Sequence, residues 1–416
     1  MGLTSHKLLA LCVVLAVLSV LGTLWIWPRL AYRSWPALFG RLATIVSTQV
    51  ILVCTLALLA NDYFVFYSSW GDLLGHNRQP ATIQGAGPSP STGAGAAAAG
   101  VQLLGHEQVP ATGGLGQDPA QVGRLDRVRI PGGTTGLSTD GYVYLPPQYF
   151  REPFKDQHFP AVVVMTGFPG DAKNLITKLR YPATELQLIR SGAMQPTVQV
   201  LMRPSPSMPQ DSECEDIPGG PQSQTYFTTD VPRDIRASYR ILTGNGSLGV
   251  MGDSTGGYCA LKLTMEHPDV FAAAVSLSGY FRAAEDFTTG DLFAGSQQRR
   301  EQADLNWRLA HLPAPKVSVL LADSKEDGST YADSHAFAAA ARPPMTVSQA
   351  TVDAGGHNFT TWVRLLPPSL SWLSAHLSAP ALPAALPSAT SLPPPGSREG
   401  MLPARETTRA MVRQIY

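Results

Sequence analysis

Two long apolar runs open the hydrophobic pattern of this chain, residues 8–27 (LLALCVVLAVLSVLGTLWIW) and residues 42–60, which end in TQVILVCTLALLA. Each approaches the roughly 20 residues that an α-helix needs to cross a bilayer. The first is too long for the apolar part of an ordinary cleaved signal peptide, and the second follows at once, so both are expected to be retained as transmembrane helices. Further along, the pattern changes scale. A short, fully apolar segment predicts a strand at 161–165 (AVVVM), and further strand-like segments lie at 198–202, 248–251, 272–276, 317–322 and 346–352, with two shorter strands at 127–130 and 142–145. Between them, residues 171–192, 231–242, 257–266, 298–309, 334–341 and 361–376 have the apolar spacing of helices. Asp230 is expected to cap the 231–242 helix, and Pro232 suits its first turn.

Apolar strands that alternate with helices predict a mostly parallel sheet covered by helices on both faces, with the chemistry at the carboxyl ends of the strands. The ordered part spans 125–378, and its surroundings are of different composition. Residues 1–75 form a membrane anchor, residues 76–124 a Gly/Ala/Pro linker (PATIQGAGPSPSTGAGAAAAG), and residues 379–416 a disordered Pro-rich tail. The 35 prolines and 38 glycines are concentrated in such stretches, and no repeat of solenoid length is visible.

Charge adds orientation. The 31 basic and 31 acidic side chains balance, which gives no support to a nucleic-acid partner or a charge-steered one. Arg29, Arg33 and Arg41 lie between the apolar runs, whereas only Lys7 and the α-amine precede the first, and Asp62 and Asp72 follow the second. The positive-inside rule then puts the connection in the cytoplasm and the 125–378 domain outside. Tyr63, Phe64, Phe66, Tyr67 and Trp70 form a candidate interfacial aromatic belt. The expected location is therefore the cell membrane, multi-pass, with an extracytoplasmic catalytic domain.

The candidate chemistry centres on GVMGDSTGGYCALK, residues 249–262. Gly252-Asp253-Ser254-Thr255-Gly256 fits G-x-S-x-G, the strained strand-to-helix turn that exposes a nucleophilic serine, and here an apolar strand precedes it and a helix follows. The same string is close to the G-D-S-G-G of chymotrypsin-like proteases. Those enzymes, however, need their histidine and aspartate before the serine, on β-barrels, and the upstream segment here is α/β with only His158 before a strand. With the order serine, acid, histidine, the base comes from downstream. His267 and His311 fall at the wrong end of the sheet, and His335 and His376 lie within helices. His357, in AGGHNF directly after the last strand, is the expected base. The acid follows the strand VSVLLA: Asp327, 30 residues before His357, is the preferred candidate, Glu326 the alternative, and Asp323 a structural carboxylate close to the strand end. An oxyanion hole needs two N–H donors; Thr255 supplies one, and Phe168, in the Thr166-Gly167-Phe168-Pro169-Gly170 loop, the other, since Pro169 has none. The loop at 280–297 is expected to wall an acyl pocket.

Two of the four cysteines, Cys12 and Cys54, lie in the apolar runs. Cys214 and Cys259 are the two of the domain itself. An extracytoplasmic location would oxidise them, and both are expected near the carboxyl edge of the sheet, so a bridge that closes a loop of about 45 residues is a candidate.

Together, Tyr144-Leu145-Pro146-Pro147-x-Tyr149, the T-G-F-P-G loop, the G-D-S-T-G-G elbow and G-G-H-N-F-x-x-W ending at Trp362 resemble the esterase family of α/β-hydrolases that contains esterase D (S-formylglutathione hydrolase), feruloyl esterases and mycolyltransferases. The resemblance covers 125–378, about 60% of the chain. It is looser for mycolyltransferases, which take their acid from later in the chain. The membrane anchor lies outside the family core and resembles an actinobacterial envelope architecture. The resemblance implies an α/β-hydrolase fold and a serine carboxylic-ester hydrolase. Ser254 attacks the ester, His357 acts as base, Asp327 orients it, and Phe168 and Thr255 N–H groups bind the oxyanion, with no metal or organic cofactor. The implied substrate is a small-molecule, lipid or glycan ester. The same triad would serve an acyltransferase acting on an envelope glycan or lipid, and a tethered, non-catalytic binding domain is the remaining alternative.

Overall fold

The structure, a computed structural model, describes residues 5–64, 100–110 and 116–380. Phe66, Tyr67 and Trp70 of the aromatic belt, the low-complexity stretch up to residue 99 and the Pro-rich tail beyond residue 380 lie outside the described residues.

The two apolar runs form helices α1 (His6–Ile26) and α2 (Trp35–Phe64). Both are long and apolar enough to cross a membrane, and their side chains are almost entirely uncovered by protein. At 1.5 Å per residue, the 21 residues of α1 extend about 31 Å, which matches a hydrocarbon core of about 30 Å. Small polar residues join the pair: the Thr23 and Thr48 hydroxyls lie 2.8 Å apart, and the Thr55 hydroxyl donates to the Cys12 carbonyl at 3.3 Å. Helix α2 begins earlier than the 42–60 run suggests. Ser34 accepts from the Ala37 N–H, and Pro36 stands at the helix start, so Arg41 belongs to α2 and not to the connection.

A nine-stranded sheet carries the rest. Its strands are β1 (Gln102–Glu107), β2 (Arg124–Pro131), β3 (Ser138–Leu145), β4 (Ala161–Met165), β5 (Val198–Met202), β6 (Leu248–Asp253), β7 (Ala273–Leu277), β8 (Ser318–Ser324) and β9 (Thr346–Val352), in the spatial order β1-β2-β3-β5-β4-β6-β7-β8-β9. The first three strands and the β3–β5 pair are antiparallel, and β5 through β9 are parallel. Along β4, Ala161, Val163 and Met165 face one apolar core, and Val162 and Val164 face the other, because side chains alternate along a strand. Helices α3 (Lys173–Thr177), α4 (Tyr181–Arg190) and α10 (Phe359–Ala375) pack on the second face. Helices α5 (Val231–Ser238), α6 (Thr255–Glu266), α8 (Leu305–His311) and α9 (Gly328–Ala340) pack on the first, with the short α7 (Gln297–Gln302) before α8. This is the α/β-hydrolase fold.

Several elements depart from the sequence pattern. Strand β1 and a helical turn at Pro119–Val122 fall inside the 76–124 stretch, so that stretch is not a linker throughout. Strand β1 is an edge strand held to β2 by backbone pairing, and its side chains stay largely exposed, so it leaves no apolar signature. The 171–192 helix divides at Arg180, which takes a left-handed φ of 61° ahead of Pro182. The 298–309 helix divides where Asp304 caps α8 by accepting from the Asn306 and Trp307 N–H groups. Asp230 does not cap α5, since the helical path already runs through it; its carboxylate instead accepts from the Thr134 and Thr135 N–H groups of the β2–β3 turn.

Cys214 and Cys259 are joined in a disulfide, with Cα atoms 5.7 Å apart and a sequence separation of 45. It ties the segment after β5 to α6. Beside it, the buried Lys262 ammonium pairs with Glu215 at 2.6 Å and donates to the Cys214 carbonyl at 2.8 Å. Serine at both cysteines is expected to lower the unfolding free energy by about 3–4 kcal/mol, through the entropy returned to the unfolded chain. Denaturant titration of the oxidised protein and the double variant measures this, and equal midpoints would refute it.

Candidate active site

The order β5-β4-β6 makes a switch point, where the connection after β4 leaves to one side and the connection after β6 to the other. The loop at 166–170 and Ser254 meet in that crevice. Ser254 follows β6 directly and precedes α6, with φ 54° and ψ −120°, the strained conformation that exposes an elbow nucleophile. Its N–H donates to the Leu277 carbonyl at 2.9 Å, and its own carbonyl accepts from Gly257 and Tyr258, which fixes the turn. The neighbouring glycines are sterically required: a Cβ on Gly252 would lie 2.4 Å from the Met165 carbonyl oxygen, and one on Gly256 only 2.2 Å from it.

His357 reaches Ser254 from the loop between β9 and α10, with Nε2 3.0 Å from the serine Oγ. On the other side of the ring, Nδ1 lies 3.2 Å from each oxygen of Asp327. Helix α9 begins at Gly328, six residues before the sequence pattern places it, and this puts the buried Asp327 at its N-cap position directly after β8. Asn358 holds the other end of the histidine loop by capping α10, where it accepts from the Thr361 N–H at 3.1 Å. The Trp362 ring stands edge-on to the imidazole, with centroids 5.0 Å apart.

The other two acid candidates face elsewhere. Glu326 accepts from the Gly355 N–H at 3.0 Å, so it braces the histidine loop and not the histidine. Asp323 accepts from the Ser334 and Thr351 hydroxyls. Of the oxyanion candidates, Thr255 opens α6, where the first amides have no intrahelical partner, and Phe168 lines the cavity at Ser254; neither N–H is bonded to another group among the described residues. The cavity, of about 320 Å³, is walled mainly by Phe168, Pro169, Phe359 and Trp362 around Ser254 and His357. The 280–297 segment is not part of that wall: Phe281 and Phe293 are buried in the core, and Phe287 is exposed.

Three buried acids near the site escaped the sequence reading. Burial pushes the Asp253 carboxyl up to about 7, and its Oδ2 accepts the Gly167 N–H at 2.9 Å. Burial likewise pushes Glu213 up to about 9 and Asp211 up to about 6. Glu213 Oε1 lies 2.5 Å from the Tyr280 hydroxyl, which is in turn 3.1 Å from the Thr255 hydroxyl. The one available signal was an acidic residue between two elbow glycines at the end of an apolar strand. Among the described residues, no group of three histidine, cysteine, aspartate or glutamate side chains is arranged to hold a metal ion.

The chain is similar to several known proteins. An uncharacterised protein of Corynebacterium glutamicum is 26% identical over 275 residues, covering 62% of this chain and 63% of that protein. The MPT51 antigen of Mycobacterium leprae is 40% identical over 80 residues, 19% of this chain and 26% of the antigen. The chain thus spans less than two thirds of the length of these curated relatives. Among solved structures, an S-formylglutathione hydrolase from Agrobacterium tumefaciens superposes with a TM-score of 0.53 at 16% identity, over 67% of this chain and 100% of that one, a likeness of fold. The model of the family described as "Putative esterase" matches residues 133–373, more than half of the chain, and the chain belongs to that family.

Proposed function

We propose that the chain is a serine carboxylic-ester hydrolase that works through an acyl-enzyme. The observation that carries this reading is the continuous run from Asp327 through His357 to the Ser254 Oγ at an elbow in the switch-point crevice. In the proposed reaction the Ser254 Oγ bonds to the ester carbonyl carbon while its proton passes to His357 Nε2. The carbonyl oxygen becomes an oxyanion, which the Phe168 and Thr255 N–H groups bind, and Asp327 stabilises the imidazolium through Nδ1–H. As the tetrahedral species collapses, the carbon–oxygen bond to the alcohol breaks and His357 returns the proton to the leaving alkoxide. Water then repeats the sequence on the acyl-enzyme and releases the acid.

The same site would transfer the acyl group if a glycan or lipid hydroxyl outcompeted water. Hydrolysis is favoured because the His357 side chain is 40% exposed, so water reaches the base directly. A fluorophosphonate probe tests the reading: one covalent adduct per chain, mapped to Ser254, is expected, together with turnover of short p-nitrophenyl esters. No labelling and no turnover in the folded protein would overturn it.

The two apolar helices support a substrate outside the cytoplasm: as a membrane anchor whose connection, bearing Arg29 and Arg33, stays inside, they would present the domain to an extracytoplasmic ester. Protease added to intact cells is expected to digest the 125–378 domain. Protection until lysis would reverse the orientation.

A further inference from the structure

We propose that Asp253 is a positioning residue for the oxyanion arm: through the Gly167 N–H, its buried carboxyl holds the loop after β4 so that the Phe168 N–H serves the carbon attacked by Ser254. The assignment rests on the hydrolytic reading of the site.

Main-chain bonds at the loop 166–170 lie at its ends. The Thr166 N–H donates to the Met202 carbonyl at 3.2 Å, at the start of the loop, and the Gly170 N–H donates to Gly167 within it. Between these, the Gly167 N–H to Asp253 Oδ2 bond at 2.9 Å is a polar link between the oxyanion arm and the strand that carries the nucleophile. The fit there is tight: a Cβ on Gly167 would stand 3.0 Å from the Ser254 Cβ and 3.3 Å from Asp253. Asp253 is 1% exposed, and its second oxygen makes no hydrogen bond to another described residue. With alanine in its place, the Gly167 N–H would lose its acceptor and the arm would be free to shift away from Ser254.

Burial also sets when the residue serves best. The carboxyl is pushed up to about 7, so it is neutral on the acid side of that value. Once ionised, it sets a negative charge one residue from Ser254, in a low-dielectric site where the reaction itself develops an oxyanion, and the two charges repel. Activity therefore falls as pH rises through about 7 from this cause. Other titratable groups lie on the surrounding elements. Tyr181 of α4 is buried and raised well above its ordinary value, so it stays neutral. Asp171 and Arg203 pair with each other.

The test compares wild type, Asp253→Asn and Asp253→Ala in kcat and KM for p-nitrophenyl acetate from about pH 5 to pH 9, and in amide hydrogen exchange of the peptide spanning the 166–170 loop. Asp253→Ala is expected to lower kcat about 100-fold with KM little changed, as for loss of one oxyanion donor, and to speed exchange of the loop amides. Asparagine keeps a neutral acceptor for the Gly167 N–H. It is expected to recover at least about tenfold of that loss, to restore loop protection and to abolish the fall at high pH. The proposal is overturned if alanine matches wild type in kcat and in exchange, or if asparagine is as impaired as alanine and keeps the basic fall. A folded wild type that turns over no ester refutes the hydrolytic reading instead, and the exchange comparison still decides whether Asp253 holds the loop.

Discussion

Ser254→Ala is expected to lower kcat for ester hydrolysis by about a million-fold, with His357→Ala close to the same figure. The loss is large because the serine oxygen is the atom that becomes bonded to the acyl carbon, and because its activation depends on the 3.0 Å contact with His357 Nε2. Removing one hydroxyl leaves the elbow otherwise intact, since the bonds that fix the turn, from Ser254 N–H to Leu277 and from Gly257 and Tyr258 to the Ser254 carbonyl, are all main-chain. Thermal unfolding is therefore expected to stay near that of the wild type, so lost activity reads as lost chemistry. The double variant is expected to be scarcely worse than either single one, because two members of one proton-transfer unit do not contribute additively. Near-normal turnover by purified Ser254→Ala, free of other hydrolases, would sink the serine mechanism and with it every role assigned around it.

Asp327→Asn is expected to cost about ten-thousand-fold in kcat. Both oxygens of Asp327 lie 3.2 Å from His357 Nδ1. They require the tautomer with its proton on Nδ1, which leaves Nε2 free to take the serine proton. An amide can present an N–H to Nδ1 and trap the opposite tautomer, in which Nε2 is already protonated. Glu326→Gln is expected to be mild, because a glutamine oxygen can still accept the Gly355 N–H. Asp323→Asn is expected to act on stability through its bonds to Ser334 and Thr351 more than on rate. Steady-state kinetics of the three variants give the ranking. If Glu326→Gln proved the most damaged, the acid would move to Glu326 and the serine and histidine roles would stand.

Much of this arrangement was written in local pattern. Strands at 161–165 and 198–202 have the limits that their apolar and β-branched runs indicate, because a strand buried on both faces has little choice but to be largely apolar. The elbow was legible for a similar reason: glycine on either side of Ser254 is what lets the Met165 carbonyl pass so close. His357 stood out by its place after the last strand, between glycines and an asparagine that caps the next helix.

Other features depend on partners distant in sequence. Strand β1 exists because β2 offers it a free edge, a backbone interaction indifferent to side-chain pattern. Glu326 and Asp327 are adjacent and chemically alike, and only the early start of α9 decides which of them turns towards the imidazole. The 280–297 segment reads as a pocket wall from its aromatics, yet those side chains serve the core, since apolar character specifies burial and not against what. Asp253 reads as the variable position of an elbow motif and becomes a link between two loops only once β4 and β6 lie side by side. The sequence by itself determined most of the elements, their order and the family-level chemistry, because those follow from short-range periodicity and steric need. The tertiary structure alone decided which carboxylate meets the histidine and which buried acid holds the oxyanion arm, because both depend on directional contacts between segments that come together only in the folded chain.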